Sequence, residues 1–176
     1  MKLWSNHLKG KVKIPSSKSY CHRYIIAASF AKKESVLDNV SMSDDIKSTL
    51  EIVKKLGAKI EQKNQTFIIQ KKSICDKKEP LYFFCSESAS TLRFLIPISI
   101  TNPRKVFFYG KHNLPKRPLS PFFPILEASH VSFQTKGEKD LCIQLDGQLK
   151  SGKYEIAGNV SSQFITALLF ALPLLE

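Results

Sequence analysis

Two hydrophobic rhythms alternate along this chain, a period near two that predicts strands and a period near 3.6 that predicts helices. Residues 12–14 read as a short extended segment. A helix is predicted over 19–31, where Ile25, Ile26, Ala28 and Phe30 make a broad apolar face. Residues 36–40 return as a strand. Asp44 and Asp45 precede a second predicted helix, 46–56, stopped by Gly57. Two short strands follow, 59–62 and 66–70, joined by a polar turn at Lys63-Asn64. The order is βαβαββ.

The same order then recurs. A strand is predicted at 81–85, a helix over 90–101 interrupted by Pro97, and a strand at 105–109. A helix over 119–129, broken by Pro121 and Pro124, leads to two closing strands at 131–134 and 141–145. A third pass opens with 154–156 and an apolar helix over 161–172. The recurrence spans about 72 residues, longer than solenoid periods, and points to duplication of a small unit. The expected organisation is an N-terminal segment (1–12), a first βαβαββ unit (13–78), a second (79–150) and the start of a third (151–176). Residues 165–175 are apolar nearly all round, which predicts a helix buried on several sides. A chain ending there would expose a large apolar patch, so the third unit is expected to be cut short.

Composition narrows the classes. A hydrophobic share of 43% with 24% charged residues belongs to a globular chain and excludes disordered and fibrous classes. The opening MKLWSNHLKGKVK has no apolar stretch of a secretory signal. The longest nearly apolar run, 164–175, is roughly twelve residues where a membrane helix needs about twenty. Cys21, Cys75, Cys85 and Cys142 lie far apart with no CxxC pair, which suits reduced thiols and a cytoplasmic location.

The net charge of +12 calls for a partner: nucleic acid, a membrane surface or a small anion. The lysine pairs 54–55, 71–72 and 77–78 fall at element ends and read as solvated surface. The positive charges that carry chemistry stand beside serines, at the turn before the first helix of each unit. These turns are Ser16-Ser17-Lys18-Ser19 with Arg23, Ser86-Glu87-Ser88-Ala89-Ser90-Thr91 with Arg93, and Asn159-Val160-Ser161-Ser162-Gln163. A helix start offers free N–H groups and partial positive charge, which suit phosphate or carboxylate. One such serine is ordinarily an N-cap. Three at equivalent places suggest convergence on one multi-anionic ligand, provided the units pack around a common axis.

These residues carry a resemblance. Pro15-Ser16-Ser17-Lys18-Ser19 with Arg23, Glu87-Ser88-Ala89-Ser90-Thr91-Leu92-Arg93, Lys116-Arg117-Pro118-Leu119 and Gly158-Asn159-Val160-Ser161-Ser162-Gln163-Phe164 resemble four motifs of the 5-enolpyruvylshikimate-3-phosphate (EPSP) synthase family, in the family's order. The resemblance implies an α/β fold of repeated βαβαββ units, the inside-out barrel of enolpyruvyl transferases. It implies transfer of the enolpyruvyl group of phosphoenolpyruvate to the 5-hydroxyl of shikimate 3-phosphate, with release of phosphate after a tetrahedral intermediate. This is a step of chorismate and aromatic amino acid biosynthesis. No metal or other cofactor is implied, nor any membrane or nucleic-acid partner, and the full enzyme is expected to be a monomer.

By resemblance, Lys18 contacts phosphoenolpyruvate and takes part in proton transfer. Ser19 and Arg23 hold the shikimate carboxylate. Arg117 holds the phosphoenolpyruvate phosphate. Ser161 and Ser162 bind the 3-phosphate, and Gln163 reaches an oxygen near the reacting centre, in contact with both substrates. Asp44 and Asp45 match a family pair, although acids in a first helical turn are sufficiently explained by the helix dipole. Ala89 stands where the more familiar form has glycine, beside the phosphoenolpyruvate phosphate. Its methyl group is expected to disfavour a longer competing anion such as glyphosate. The family's remaining acid, base and phosphate-binding groups would lie beyond residue 176, so the chain alone is expected to be inactive.

Two alternatives compete with this resemblance. The related enzyme acting on UDP-N-acetylglucosamine opens with a Lys-Asn pair, against Lys18-Ser19 here. A basic nucleic-acid-binding module suits the charge, but the chain has no GxxG loop and no aromatic RNA-binding strand signature.

Overall fold

The first helix begins where a serine can cap it. In the computed structural model, which describes residues 9–12, 14–72, 79–136 and 140–175, α1 (Lys18–Phe30) follows Ser17, whose hydroxyl accepts the Tyr20 N–H. After the short strand β1 (Ser35–Leu37), Ser43 caps α2 (Asp44–Lys55) in the same way. Acids in its first turn and lysines in its last complement the helix dipole. Gly57, at φ +106, takes the left-handed conformation that ends the helix. Strands β2 (Ala58–Lys63) and β3 (Thr66–Lys71) then form an antiparallel hairpin. Strand β1 pairs with the far edge of β3, giving a three-stranded sheet in the order β1-β3-β2. Phe67 and Ile69 point from β3 into the core.

The second half runs β4 (Leu81–Phe84), α3 (Ala89–Ser99), β5 (Arg104–Gly110), α4 (Phe123–Ala128), β6 (Ser132–Lys136) and β7 (Leu141–Gly147). The strands form a sheet in the order β4-β5-β7-β6, with β4 and β5 parallel and the other pairs antiparallel. The parallel pair needs a crossover, and α3 supplies it. Period-two alternation sends Phe83, Val106, Phe108, Ile143 and Leu145 inward. A final helix, α5 (Ser162–Ala171), packs along α3.

Several sequence expectations are revised. Val12 and Ile14 are exposed and outside any strand, Lys13 lying outside the described residues, and 154–156 is irregular as well. An extended segment becomes a strand only beside a ladder partner, and none flanks either segment among the described residues. The second half therefore shows the full βαβαββ order, while the described first half begins at its helix. Residues 1–8, the stretch 73–78 with Cys75 and Lys77-Lys78, and Glu176 lie outside the described residues. Most of the expected segment 1–12 and the boundary at 78 lie there with them.

Pro97 does not interrupt α3. It occupies the last turn of a helix whose residues 91–99 are all buried, so packing outweighs the lost backbone hydrogen bond. The helix expected over 119–129 is shorter, a 3-10 turn over Ser120–Phe122 followed by α4. Pro121 and Pro124 each stand in a first turn, where a missing N–H costs nothing. The apolar helix expected to be buried on several sides has one buried face, Phe164, Ala167, Leu168 and Ala171, while Ile165 and Leu169 are exposed.

Candidate anion-binding site

The starts of α1, α3 and α5 share one construction. Ser17, Ser88 and Ser161 are their N-caps, accepting N–H groups of Tyr20, Thr91 and Gln163. Each cap satisfies one of the free donors and leaves others directed outward. Before α3 the chain turns sharply through Ser86, at φ +53, and this left-handed residue lets Ser88 reach its capping position.

Side chains tie the three starts together. The Gln163 amide donates to Ser90 Oγ at 2.8 Å and accepts from Arg93 at 2.9 Å, joining α5 to α3. The second Arg93 terminal nitrogen donates to the Pro118 carbonyl at 2.9 Å, anchoring the turn that carries Arg117. Arg93 lies over the Phe164 ring at 4.8 Å and is buried. Burial, and then the neighbouring Arg117 charge, hold its pKa below the usual guanidinium value. On the other side Arg23 donates to Ser19 Oγ and to the Ser19 carbonyl, reaches Thr166 of α5 at 3.4 Å, and lies over Phe94 of α3 at 4.8 Å.

Beneath the α1 start, the Lys18 ammonium pairs with Asp45 at 2.8 Å. His22, one turn further along α1, is 1% exposed. Burial pushes its pKa down to about 4, the nearby Lys18 and Arg23 adding to the shift and Asp45 opposing it. Its Nδ1 meets Thr49 Oγ1 at 2.8 Å, Thr49 meets Thr91 Oγ1 at 2.8 Å, and Thr91 donates to Ser88 Oγ at 2.7 Å.

Of the residues singled out in the sequence, Ser19 and Arg23 are in direct contact, and Gln163 touches the α3 start one residue from Ala89. Ser161 accepts the Gln163 N–H as the cap of α5 and keeps its O–H to donate, while Ser162 and Arg117 are exposed beside it and beside Arg93 respectively. Among the described residues Lys18 pairs with Asp45 and not with Arg117 or the serines of α5. It is linked to α3 through Asp45, whose main-chain carbonyl lies 3.3 Å from Thr91 Oγ1. The helix-dipole reading of Asp45 therefore missed its pairing with Lys18. The sequence marks Arg93 only as the arginine after the second serine turn, and no motif marks His22. Two threonines, Thr49 and Thr91, on otherwise apolar helix faces were the available signal. A cavity of about 850 Å³ lies elsewhere, at the opposite ends of these helices between Phe30, Thr101, Leu149 and Leu174.

Helix starts on α/β units, with one lysine and several arginines among serine hydroxyls, define an α/β protein whose candidate site has the chemistry that suits anions. Comparison with known proteins narrows the class. Residues 4–176 match the family described as EPSP synthase (3-phosphoshikimate 1-carboxyvinyltransferase), and the chain belongs to that family. It is 46% identical over 169 residues to a 3-phosphoshikimate 1-carboxyvinyltransferase of Clostridium perfringens, covering 96% of this chain and 40% of the relative. It is 40% identical to that of Clostridioides difficile, covering 100% and 42%. An EPSP synthase structure from Acinetobacter baumannii superposes with a TM-score of 0.76 at 24% identity, over 95% of this chain and 39% of that one, and shows the shared fold. The chain thus spans about 40% of the length of its curated relatives.

Proposed function

We propose that this chain supplies one wall of the cleft in which a 3-phosphoshikimate 1-carboxyvinyltransferase joins phosphoenolpyruvate to the 5-hydroxyl of shikimate 3-phosphate. The observation that carries the reading is the bridging of three capped helix starts by Arg23 and by the Arg93–Gln163–Ser90 contact. Both substrates are small multi-anions, and N–H groups, hydroxyls and guanidinium groups on one rim match them.

In this reading Ser161, Ser162 and Gln163 receive the 3-phosphate and a neighbouring oxygen at the start of α5. Ser19 and Arg23 hold the carboxylate. Lys18 and Arg117, with Gln163 and the Ala89 turn, face phosphoenolpyruvate. As the 5-hydroxyl adds to the enolpyruvyl carbon, Lys18 assists proton movement, and phosphate leaves when the tetrahedral intermediate collapses. The Ala89 methyl group narrows the space beside that phosphate, so glyphosate is expected to compete poorly. The reaction belongs to a biosynthetic enzyme, for which we infer a cytoplasmic, monomeric full-length form.

The test is calorimetric titration of shikimate 3-phosphate into the chain at low salt, beside a Lys18→Ala, Arg23→Ala double variant. Weak binding that the double variant loses supports the reading. Equal binding by both overturns the roles assigned to the α1 start.

A further inference from the structure

The His22 chain lies behind the rim and touches no proposed ligand position. Hydroxyl counting gives it a direction. Each threonine has one proton to donate. Thr91 gives its proton to Ser88 at 2.7 Å, so the 2.8 Å contact between the threonines requires Thr49 to donate to Thr91. The 3.3 Å contacts of both hydroxyls with the Asp45 carbonyl are the weaker competitors. Thr49 can then only accept from His22, whose Nδ1 must carry the proton.

The other ring nitrogen agrees. His22 Nε2 is buried without a hydrogen-bond partner among the described residues. A buried lone pair without a donor is tolerated more readily than a buried N–H without an acceptor. Protonated histidine would place an N–H there too, so the geometry favours the neutral ring.

The groups around the ring come from three helices. Lys18 and Arg23 face it from α1, Asp45 and Thr49 from α2, and Thr91 and Phe94 from α3, the Phe94 ring edge-on at 6.3 Å. We infer that His22, as the neutral Nδ1–H tautomer, is a positioning residue that heads a one-way hydrogen-bond chain through Thr49 and Thr91 to the Ser88 cap and so fixes the start of α3 against the starts of α1 and α2. Its functional consequence rests on the cleft reading, because Lys18 and the Ala89 turn are expected to meet one substrate. The chain itself is a statement about hydrogen bonds and is measured separately.

The experiment uses the 176-residue chain with ring-¹⁵N histidine, in natural form and as His22→Asn, His22→Phe, Thr49→Val and the His22→Phe, Thr49→Val pair. Asparagine places an amide N–H near the position of Nδ1, while valine removes the Thr49 hydroxyl at nearly constant shape. The expected results are a proton on His22 Nδ1 at neutral pH and Thr91 amide exchange unchanged in His22→Asn. Exchange should be faster by about tenfold in His22→Phe and in Thr49→Val, with no further loss in the pair. Shikimate 3-phosphate affinity, measured on the same samples, should follow the same order. A proton on Nε2, a charged ring at neutral pH, or a folded His22→Phe that keeps Thr91 protection would overturn the inference. If the natural chain binds no shikimate 3-phosphate, the cleft reading fails and Thr91 exchange alone still decides the chain.

Discussion

Lys18 and Asp45 form an ion pair of 2.8 Å across the starts of α1 and α2, with the lysine more than half exposed and the carboxylate a quarter exposed. A pair in that setting contributes less than about 1 kcal/mol to stability. Its greater effect is on the charge Lys18 presents to an incoming anion. Asp45→Asn is expected to change urea stability by under about 1 kcal/mol, while raising phosphate affinity at low salt and steepening its salt dependence. Unchanged affinity at all salt concentrations would show that Lys18 does not meet the anion.

His22 sets a pH dependence whose sign follows from its burial. Its folded pKa is about 4, against 6.5 for the ordinary ring. Between those values the unfolded chain binds the proton and the folded chain does not, so stability rises with pH. The contribution is complete above about pH 6.5, falls progressively toward pH 4, and is on the order of 3 kcal/mol. Denaturant melts across this window should show that slope in the natural chain and its loss in His22→Asn.

Arg93 joins α5 and the Pro118 turn to α3 through two terminal nitrogens. Lysine keeps the charge but cannot span both acceptors, so Arg93→Lys should lose about 1–3 kcal/mol of stability and weaken shikimate 3-phosphate binding with it. Full stability in Arg93→Lys, measured by urea denaturation, would mean that the guanidinium fork does not organise the site.

The curated relatives are more than twice as long as this chain, and the transfer reaction needs both substrates held and their developing charge stabilised. The 176 residues alone are expected to bind without turnover. Sustained phosphate release dependent on both substrates would contradict this.

What the sequence revealed and what it hid divide by distance along the chain. The serine-rich turns before α1, α3 and α5 were readable as helix starts because a cap acts on residues two or three positions on, whereas the Ser43 cap of α2 went unread behind Asp44 and Asp45. Strand alternation in β5 and β7 was readable for the same local reason. The contacts that assemble the site join residues far apart, 27 positions for His22 and Thr49 and 70 for Arg93 and Gln163. No local periodicity encodes such pairs. Pro97 misled in the same way, since its tolerance depends on the packing around α3 rather than on its neighbours in sequence.

The central claim is that three helix starts act on one ligand. The most direct test is to follow backbone amide signals of the ¹⁵N-labelled chain during titration with shikimate 3-phosphate. The account predicts that amides of Ser19 and Tyr20, of Ala89 and Ser90, and of Ser162 and Gln163 move together with a single dissociation constant. Shifts confined to one helix start, or separate dissociation constants for the three, would contradict it.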